Sequence, residues 1–302
     1  MKTPLFQGAA TALITPMKKD GSVDVQALEK LIEYQLENGV QALVPCGTTG
    51  EPATLSLTEW QEVIRRTVVQ VNRRVPVIAG TGGNNTKDVI ERAALAKALG
   101  ADAQLCVTPY YNKTTQEGLI AHYQAIAGQS ELPVILYSVP SRTGMAISLD
   151  TLKVLSRHPN IIGLKEAGGD IGRVGDIMAA CGDELPIFCG SDEITVPMLS
   201  LGAAGVISVL SNALPAAVSG MTDSWQKGEI AVARELQIRY LLLIRLLFKQ
   251  VSPIPIKAVM RLMGLCENAL RLPLLPLDQE AEETLRRELV RLNVLTGEEK
   301  NR

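Results

Sequence analysis

Eight short apolar runs alternate with helix-patterned segments, the links between them are short, and no nucleotide-binding fingerprint opens the series. Together these observations predict an α/β fold, a (β/α)8 TIM barrel with a C-terminal helical extension. The runs occupy residues 9–16, 40–46, 75–80, 103–108, 133–137, 161–165, 185–189 and 205–210. They are rich in Val, Ile, Leu and Ala without polar alternation, as strands covered on both faces are. An open sheet of Rossmann type would carry G-x-G-x-x-G or a G-K-S/T loop at a strand–helix turn, and neither occurs.

The helices follow in order. Residues 24–38 place Ala27, Leu28, Leu31, Ile32 and Leu36 on one side and stop at Gly39. Thr58-Glu-Trp-Gln61 has the capping-box pattern and predicts a helix to about Val71. Thr86 opens a helix ending at Gly100, and Thr114-x-x-Glu117 opens the next. Ser148 is a cap for the one after, and Gly182 closes its successor. Beyond the eighth unit, 229–249 reads as a long amphipathic helix, Pro253 and Pro255 interrupt, and helical patterns return at 257–265 and 278–293. The barrel is therefore expected over 1–227 and the extension over 228–302, with a polar tail, 296–302, expected to fray.

Composition narrows the function. Lys and Arg number 30 against 32 Asp and Glu, a net charge of −2, and basic residues cluster only in pairs such as Arg65-Arg66. That excludes the basic stripe of a nucleic-acid binder. No apolar stretch approaches the ~18 residues of a membrane span. Five cysteines, an odd number with no C-x-x-C, read as small core residues in a reducing compartment, so a cytoplasmic location is expected. His122 and His158, the only histidines, lie in separate helical segments. A histidine-based metal site and a Ser-His-Asp triad are thus not expected, and catalysis must rest on other groups.

In a barrel those groups stand at the carboxyl ends of the strands. Lys165 ends the apolar run 161–164, where a lysine is unusual. The bland reading is a side chain that reaches out to solvent; the functional one is an amine made neutral by dehydration and available for imine formation. Three of the six tyrosines, Tyr110, Tyr111 and Tyr137, follow strands four and five. Each alone reads as rim packing; beside Thr48 and Thr49 they read as a hydroxyl relay, which an imine mechanism without histidine needs. Arg142 offers a planar fork for a carboxylate, and Gly47 and Gly50 let backbone N–H groups approach a small anion.

Gly47-Thr-Thr-Gly-Glu51, Tyr110-Tyr111-Asn112, Tyr137-Ser-Val-Pro-Ser-Arg-Thr-Gly144 and Gly163-Leu-Lys-Glu166 resemble the signature segments of the dihydrodipicolinate synthase family, in the superfamily of class I pyruvate aldolases and N-acetylneuraminate lyase. The resemblance runs from about residue 8 to 295 and includes Pro253-Ile-Pro-Ile-Lys257 and Arg271-Leu-Pro273. It implies a lyase that condenses pyruvate with L-aspartate 4-semialdehyde on the diaminopimelate route to lysine. Lys165 would carry pyruvate as a Schiff base, with no cofactor and no metal. Tyr137, Thr48 and Tyr111 would relay protons, Tyr111 from across a dimer interface. Arg142 would hold the semialdehyde carboxylate, and Thr49 with the backbone near Ile207 the pyruvate carboxylate. The resemblance also implies a homotetramer, a dimer of dimers. It further implies an L-lysine effector site at the tight-dimer interface, with Trp60 as its wall, Asp88 as its charge, and Asn84 and Tyr110 as polar contacts.

Ser138 departs from the asparagine usual in the family. Leu57 replaces a histidine found in some lysine-responsive members, and Asp88 is one methylene shorter than the usual glutamate. Two other readings compete: a sibling aldolase acting on sialic or keto-deoxy sugar acids, and a non-catalytic keto-acid sensor. The sensor would need neither Lys165 nor Tyr137.

Overall fold

The strands predicted from the apolar runs are all present in the computed structural model, which describes residues 2–296. They are β1 (Gly8–Ala12), β2 (Ala42–Val44), β3 (Ile78–Gly80), β4 (Ala103–Val107), β5 (Val134–Ser138), β6 (Ile161–Glu166), β7 (Ile187–Cys189) and β8 (Gly205–Ser208). All pair in parallel, in the order β2-β1-β8-β7-β6-β5-β4-β3. A parallel bridge from Leu43 to Val77 joins β2 to β3 and closes the ring. The fold is a (β/α)8 TIM barrel.

Helices α1 (Val25–Glu37), α2 (Leu57–Val71), α3 (Thr86–Ala98), α4 (Gln116–Gln129), α5 (Pro140–Thr143), α6 (Leu149–Ser156), α7 (Ile171–Cys181), α8 (Thr195–Ser200) and α9 (Pro215–Gln226) alternate with the strands. The C-terminal extension follows as α10 (Ile230–Leu247), α11 (Ile254–Leu262) and α12 (Gln279–Arg291). The expected fraying of the tail concerns residues that, beyond Thr296, lie outside those described.

Four helix starts differ from the sequence expectation; α11 begins at Ile254, not Lys257, because Pro255 is tolerated in its first turn, where no intrahelical N–H bond is lost. The capping box of α2 is Ser56 with Glu59, not Thr58 with Gln61: Ser56 Oγ accepts from the Glu59 amide at 3.3 Å, and Glu59 Oε2 accepts from the Ser56 amide at 2.9 Å. A carboxylate at this position gains from the helix dipole as an amide cannot. Thr115, not Thr114, caps α4, accepting from the Gly118 amide at 3.2 Å. Asn85 caps α3 through the Lys87 amide at 3.1 Å, so Thr86 is already inside the helix. Ser148 does cap α6.

Apolar side chains fill two layers. Leu28, Leu31 and Ile32 of α1, Val63 and Ile64 of α2 and their counterparts pack between helices and ring. Inside the ring, Ala10, Ala12, Val44, Ile78, Leu105, Ile135 and Ile207 form a separate buried cluster with Phe6 and Phe188. The two phenylalanine rings stack at 4.4 Å between centroids. Phe188 fits because its neighbour is Gly163, where a Cβ would stand 3.0 Å from the ring edge. These aromatic rings floor the barrel beneath the carboxyl ends of the strands.

Candidate active site

Tyr137 and Lys165 are register partners on β5 and β6, so their side chains stand side by side within the barrel mouth. Lys165 is only 5% exposed, and its Nζ lies 4.5 Å from the centroid of the Tyr137 ring. Gly190, at the end of β7, makes room for it: a Cβ there would come within 3.0 Å of the lysine Cε. Among the described residues no carboxylate lies within ion-pair distance of Lys165, although fourteen ion pairs form elsewhere. A lysine amine buried at the mouth of the barrel, out of contact with any carboxylate, is placed to meet a carbonyl.

A cavity of about 650 Å³ opens over this amine, lined by Thr48, Thr49, Tyr137, Arg142 and Lys165 on one side and by Phe248 and Lys249 of the extension on the other. A second cavity of about 500 Å³ shares Thr48, Tyr137, Arg142 and Ser252 with the first and runs out to Tyr110 and Pro273. Thr48, Tyr137 and Arg142 therefore border both spaces, the one that holds the amine and the one that runs out to Tyr110.

Thr48 and Thr49 sit in a single 3-10 turn, Thr48–Gly50, that the backbone reaches through two non-glycine residues in the left-handed region, Cys46 (φ 55°) and Glu51 (φ 54°). Thr15 Oγ1 donates to the Gly50 carbonyl at 2.7 Å and fixes the turn from below. Arg142 lies in α5, a short helix started by Pro140 and ended by Gly144 in the left-handed conformation. Its Nη2 donates to the Ser252 carbonyl at 3.3 Å, which aims the guanidinium across the mouth.

With this geometry in view, the comparison with known proteins is direct. The model of the dihydrodipicolinate synthetase family matches residues 5–292. The chain belongs to that family. A relative from Geobacter metallireducens, named 4-hydroxy-tetrahydrodipicolinate synthase, is 46% identical over 281 residues, 93% of this chain and 97% of its own. The crystal structure of the chloride-inhibited dihydrodipicolinate synthase from Acinetobacter baumannii, complexed with pyruvate, matches with a TM-score of 0.94 at 44% identity, covering 96% of this chain and all of that one. The dihydrodipicolinate synthase of Aquifex aeolicus matches with a TM-score of 0.93 at 42% identity, over 95% of this chain and 98% of its own.

Not every residue expected at the site of a family member lines the chamber. The Ile207 side chain is buried in the barrel interior, with Ala10 as its register partner, and Val209 two residues on lines the chamber. Tyr111 is 94% exposed, in the left-handed conformation, and lines neither cavity. The expected effector residues divide. Asn84 Nδ2 donates to the Tyr110 carbonyl at 3.2 Å, and Asp88 is exposed in the first turn of α3. Trp60 is corrected: it is 1% exposed, and its indole N–H donates to the Gly80 carbonyl at 3.0 Å. A ring satisfied and packed in the core offers no wall to a ligand.

Three buried charged groups were given no role in the sequence reading. Asp192 accepts from the Val209 and Leu210 amides at 2.9 and 3.1 Å; burial pushes its carboxyl up, against the pull of Ser208 and those amides. Glu166 accepts from the Gly168 amide at 2.7 Å; burial pushes it up as well, opposed by that amide and Arg173. Lys257 of α11 is fully buried and paired with Glu51. Its position inside the apolar stretch Ile254-Pro-Ile-Lys-Ala-Val-Met260 was the available signal. The histidines lie elsewhere: His122 is buried against Thr86, at 2.8 Å, and desolvation pushes its pKa down to about 4.

Proposed function

We propose that the protein condenses pyruvate, held as a Schiff base on Lys165, with L-aspartate 4-semialdehyde to give 4-hydroxy-tetrahydrodipicolinate, the lyase reaction named for its relatives. The observation that carries this reading is the dry, unpaired Lys165 amine beside Tyr137 under a cavity of about 650 Å³. The neutral amine adds to the ketone carbon of pyruvate and water leaves. The iminium then makes the adjacent methyl acidic, so that its proton departs and the resulting enamine carbon bonds to the aldehyde. The aldehyde oxygen takes up a proton. Attack of the semialdehyde's own amine on the imine carbon closes the ring and releases Lys165. The amine itself activates the substrate, so the chemistry calls for no cofactor.

Each proton movement needs a hydroxyl at hand, and Tyr137 and Thr48 line the chamber where one is required. Tyr111 completes the relay from a neighbouring subunit; its full exposure in the isolated chain supports that role. Thr49 receives the pyruvate carboxylate, with the backbone near Ile207 below it, and Arg142 the carboxylate of the semialdehyde. The assembly in this reading is a tetramer, a dimer of tight dimers. The location is the cytoplasm; among the described residues no helix is long and apolar enough to cross a membrane. An L-lysine effector would depend on Asn84, Asp88 and Tyr110 without help from Trp60.

Incubation with pyruvate followed by borohydride and peptide mass mapping tests the reading. The adduct is expected on Lys165 alone, and Lys165→Ala is expected to lose nearly all turnover. Recovery of the adduct on Lys18, Lys113 or Lys257 would refute the assignment. Faster cleavage of sialic acid than condensation of the semialdehyde would favour a sibling aldolase.

A further inference from the structure

Among the described residues Lys257 is, with Lys165, one of two buried lysines, and the chemistry proposed above does not use it. It belongs to the first turns of α11, in the extension, and is fully buried. Its Nζ donates to the Ala269 carbonyl at 2.9 Å and forms an ion pair with Glu51, whose carboxylate is itself buried. Among the described residues the Glu51 carboxylate oxygens have no other polar partner. A pair so dry is poor evidence of stabilisation, because removing both charges from water costs about what their attraction returns. Its location is more telling. Glu51 is the left-handed residue that ends the Thr48–Gly50 turn. A non-glycine residue held there costs about 1 kcal/mol or more, and such strain persists only where the surroundings impose it.

The same stretch of the extension touches the other wall of the chamber. Ser252, five residues before Lys257, gives its carbonyl to Arg142 at 3.3 Å. Further along, Arg271 reaches back to the Thr54 carbonyl and pairs with Glu59 at the head of α2. Three side chains or carbonyls of the extension thus hold the loop that carries Thr48 and Thr49, together with the guanidinium opposite. We propose that Lys257 is a positioning residue: by gripping Glu51 it sets the turn that presents Thr48 and Thr49 to the imine, so that the extension is part of the active-site construction. This rests on the Schiff-base reading, in which Thr48 passes protons.

The test is a double-mutant cycle in the full-length protein. Lys257→Met is expected to lower kcat about 10- to 100-fold, the scale of a displacement near 1 Å in a reacting group, at a temperature where circular dichroism shows the variant folded. Because Lys257 acts through the turn, Thr48→Val should cost far less in the Lys257→Met background than in the wild type. Should Lys257→Met fail to fold, the same cycle is run with Glu51→Gln, which keeps the shape of the side chain. A wild-type kcat in the folded variant, or losses that simply add, would overturn the proposal and leave the pair a structural one. Wild-type protein that forms no borohydride adduct with pyruvate would instead refute the Schiff-base reading itself.

Discussion

Arg142 tests whether a side chain is placed for a substrate or for the fold. Its contact with the Ser252 carbonyl is long, at 3.3 Å, and leaves most of its five donors to the chamber. A charge-assisted contact to a carboxylate is worth about 1.5–3 kcal/mol. Arg142→Ala is therefore expected to raise KM for the semialdehyde roughly 10- to 150-fold, with a much smaller effect on the yield of the borohydride adduct with pyruvate; steady-state kinetics beside adduct mass would check both. His122 illustrates the opposite case, a titratable group that serves the core. Its folded pKa, about 4, lies below the ordinary value of 6.5, so the unfolded chain binds the extra proton first. Its neutral form thus contributes stability that is complete above pH 6.5 and fades as pH falls toward 4, up to about 3 kcal/mol. Urea melts across that window should show the slope, and His122→Gln should flatten it. The ion pair that pulls Glu59 down to about 2 also loses stability as pH falls below about 4.5, so the part due to His122 is the difference between the wild-type and His122→Gln slopes. That Lys165, Tyr137, Thr48 and Arg142 would meet at one chamber was legible in sequence because each stands at or just after the end of an apolar run. Lys257 and Asp192 were not, since their partners, Glu51 and the amides after β8, lie far off in the chain.

At the scale of elements, parallel strands buried on both faces announce themselves as unbroken apolar runs, and all eight were found that way. Their ends were overestimated: the run 9–16 yields a strand ending at Ala12, because Ile14 turns its amide to the Asn212 side-chain oxygen and Thr15 turns its hydroxyl to the Gly50 carbonyl. The short helices α5 and α8 escaped notice, at four and six residues too brief for a 3.6-residue period to show. Helix starts were ambiguous where polar residues crowd, as at Ser56 and Thr58. The two can be separated by experiment. Ser56→Ala should cost about 1 kcal/mol by chemical denaturation, whereas Thr58→Ala, inside the first turn of α2, should change stability by no more than about 0.5 kcal/mol. Equal effects would mean that the box at Ser56 does not form in solution.

For the molecule as a whole, the isolated chain brings Lys165, Tyr137, Thr48 and Arg142 to one chamber, yet leaves Tyr111 standing in solvent at 94% exposure. If that tyrosine serves a neighbour's site, Tyr111→Phe and Lys165→Ala chains, each inactive alone, should regain part of the activity when mixed. A mixed dimer contains one site with both defects and one with neither. Native mass spectrometry would establish that mixing occurred; no recovery in confirmed heterodimers would mean each site is complete within its own chain. The stacked Phe6 and Phe188 rings bear on the traffic through such a site. They belong to the buried cluster that fills the ring, and neither borders the chamber over Lys165. With the interior so filled, whatever reaches Lys165 does so from the face on which the strands end, and whatever leaves goes back the same way.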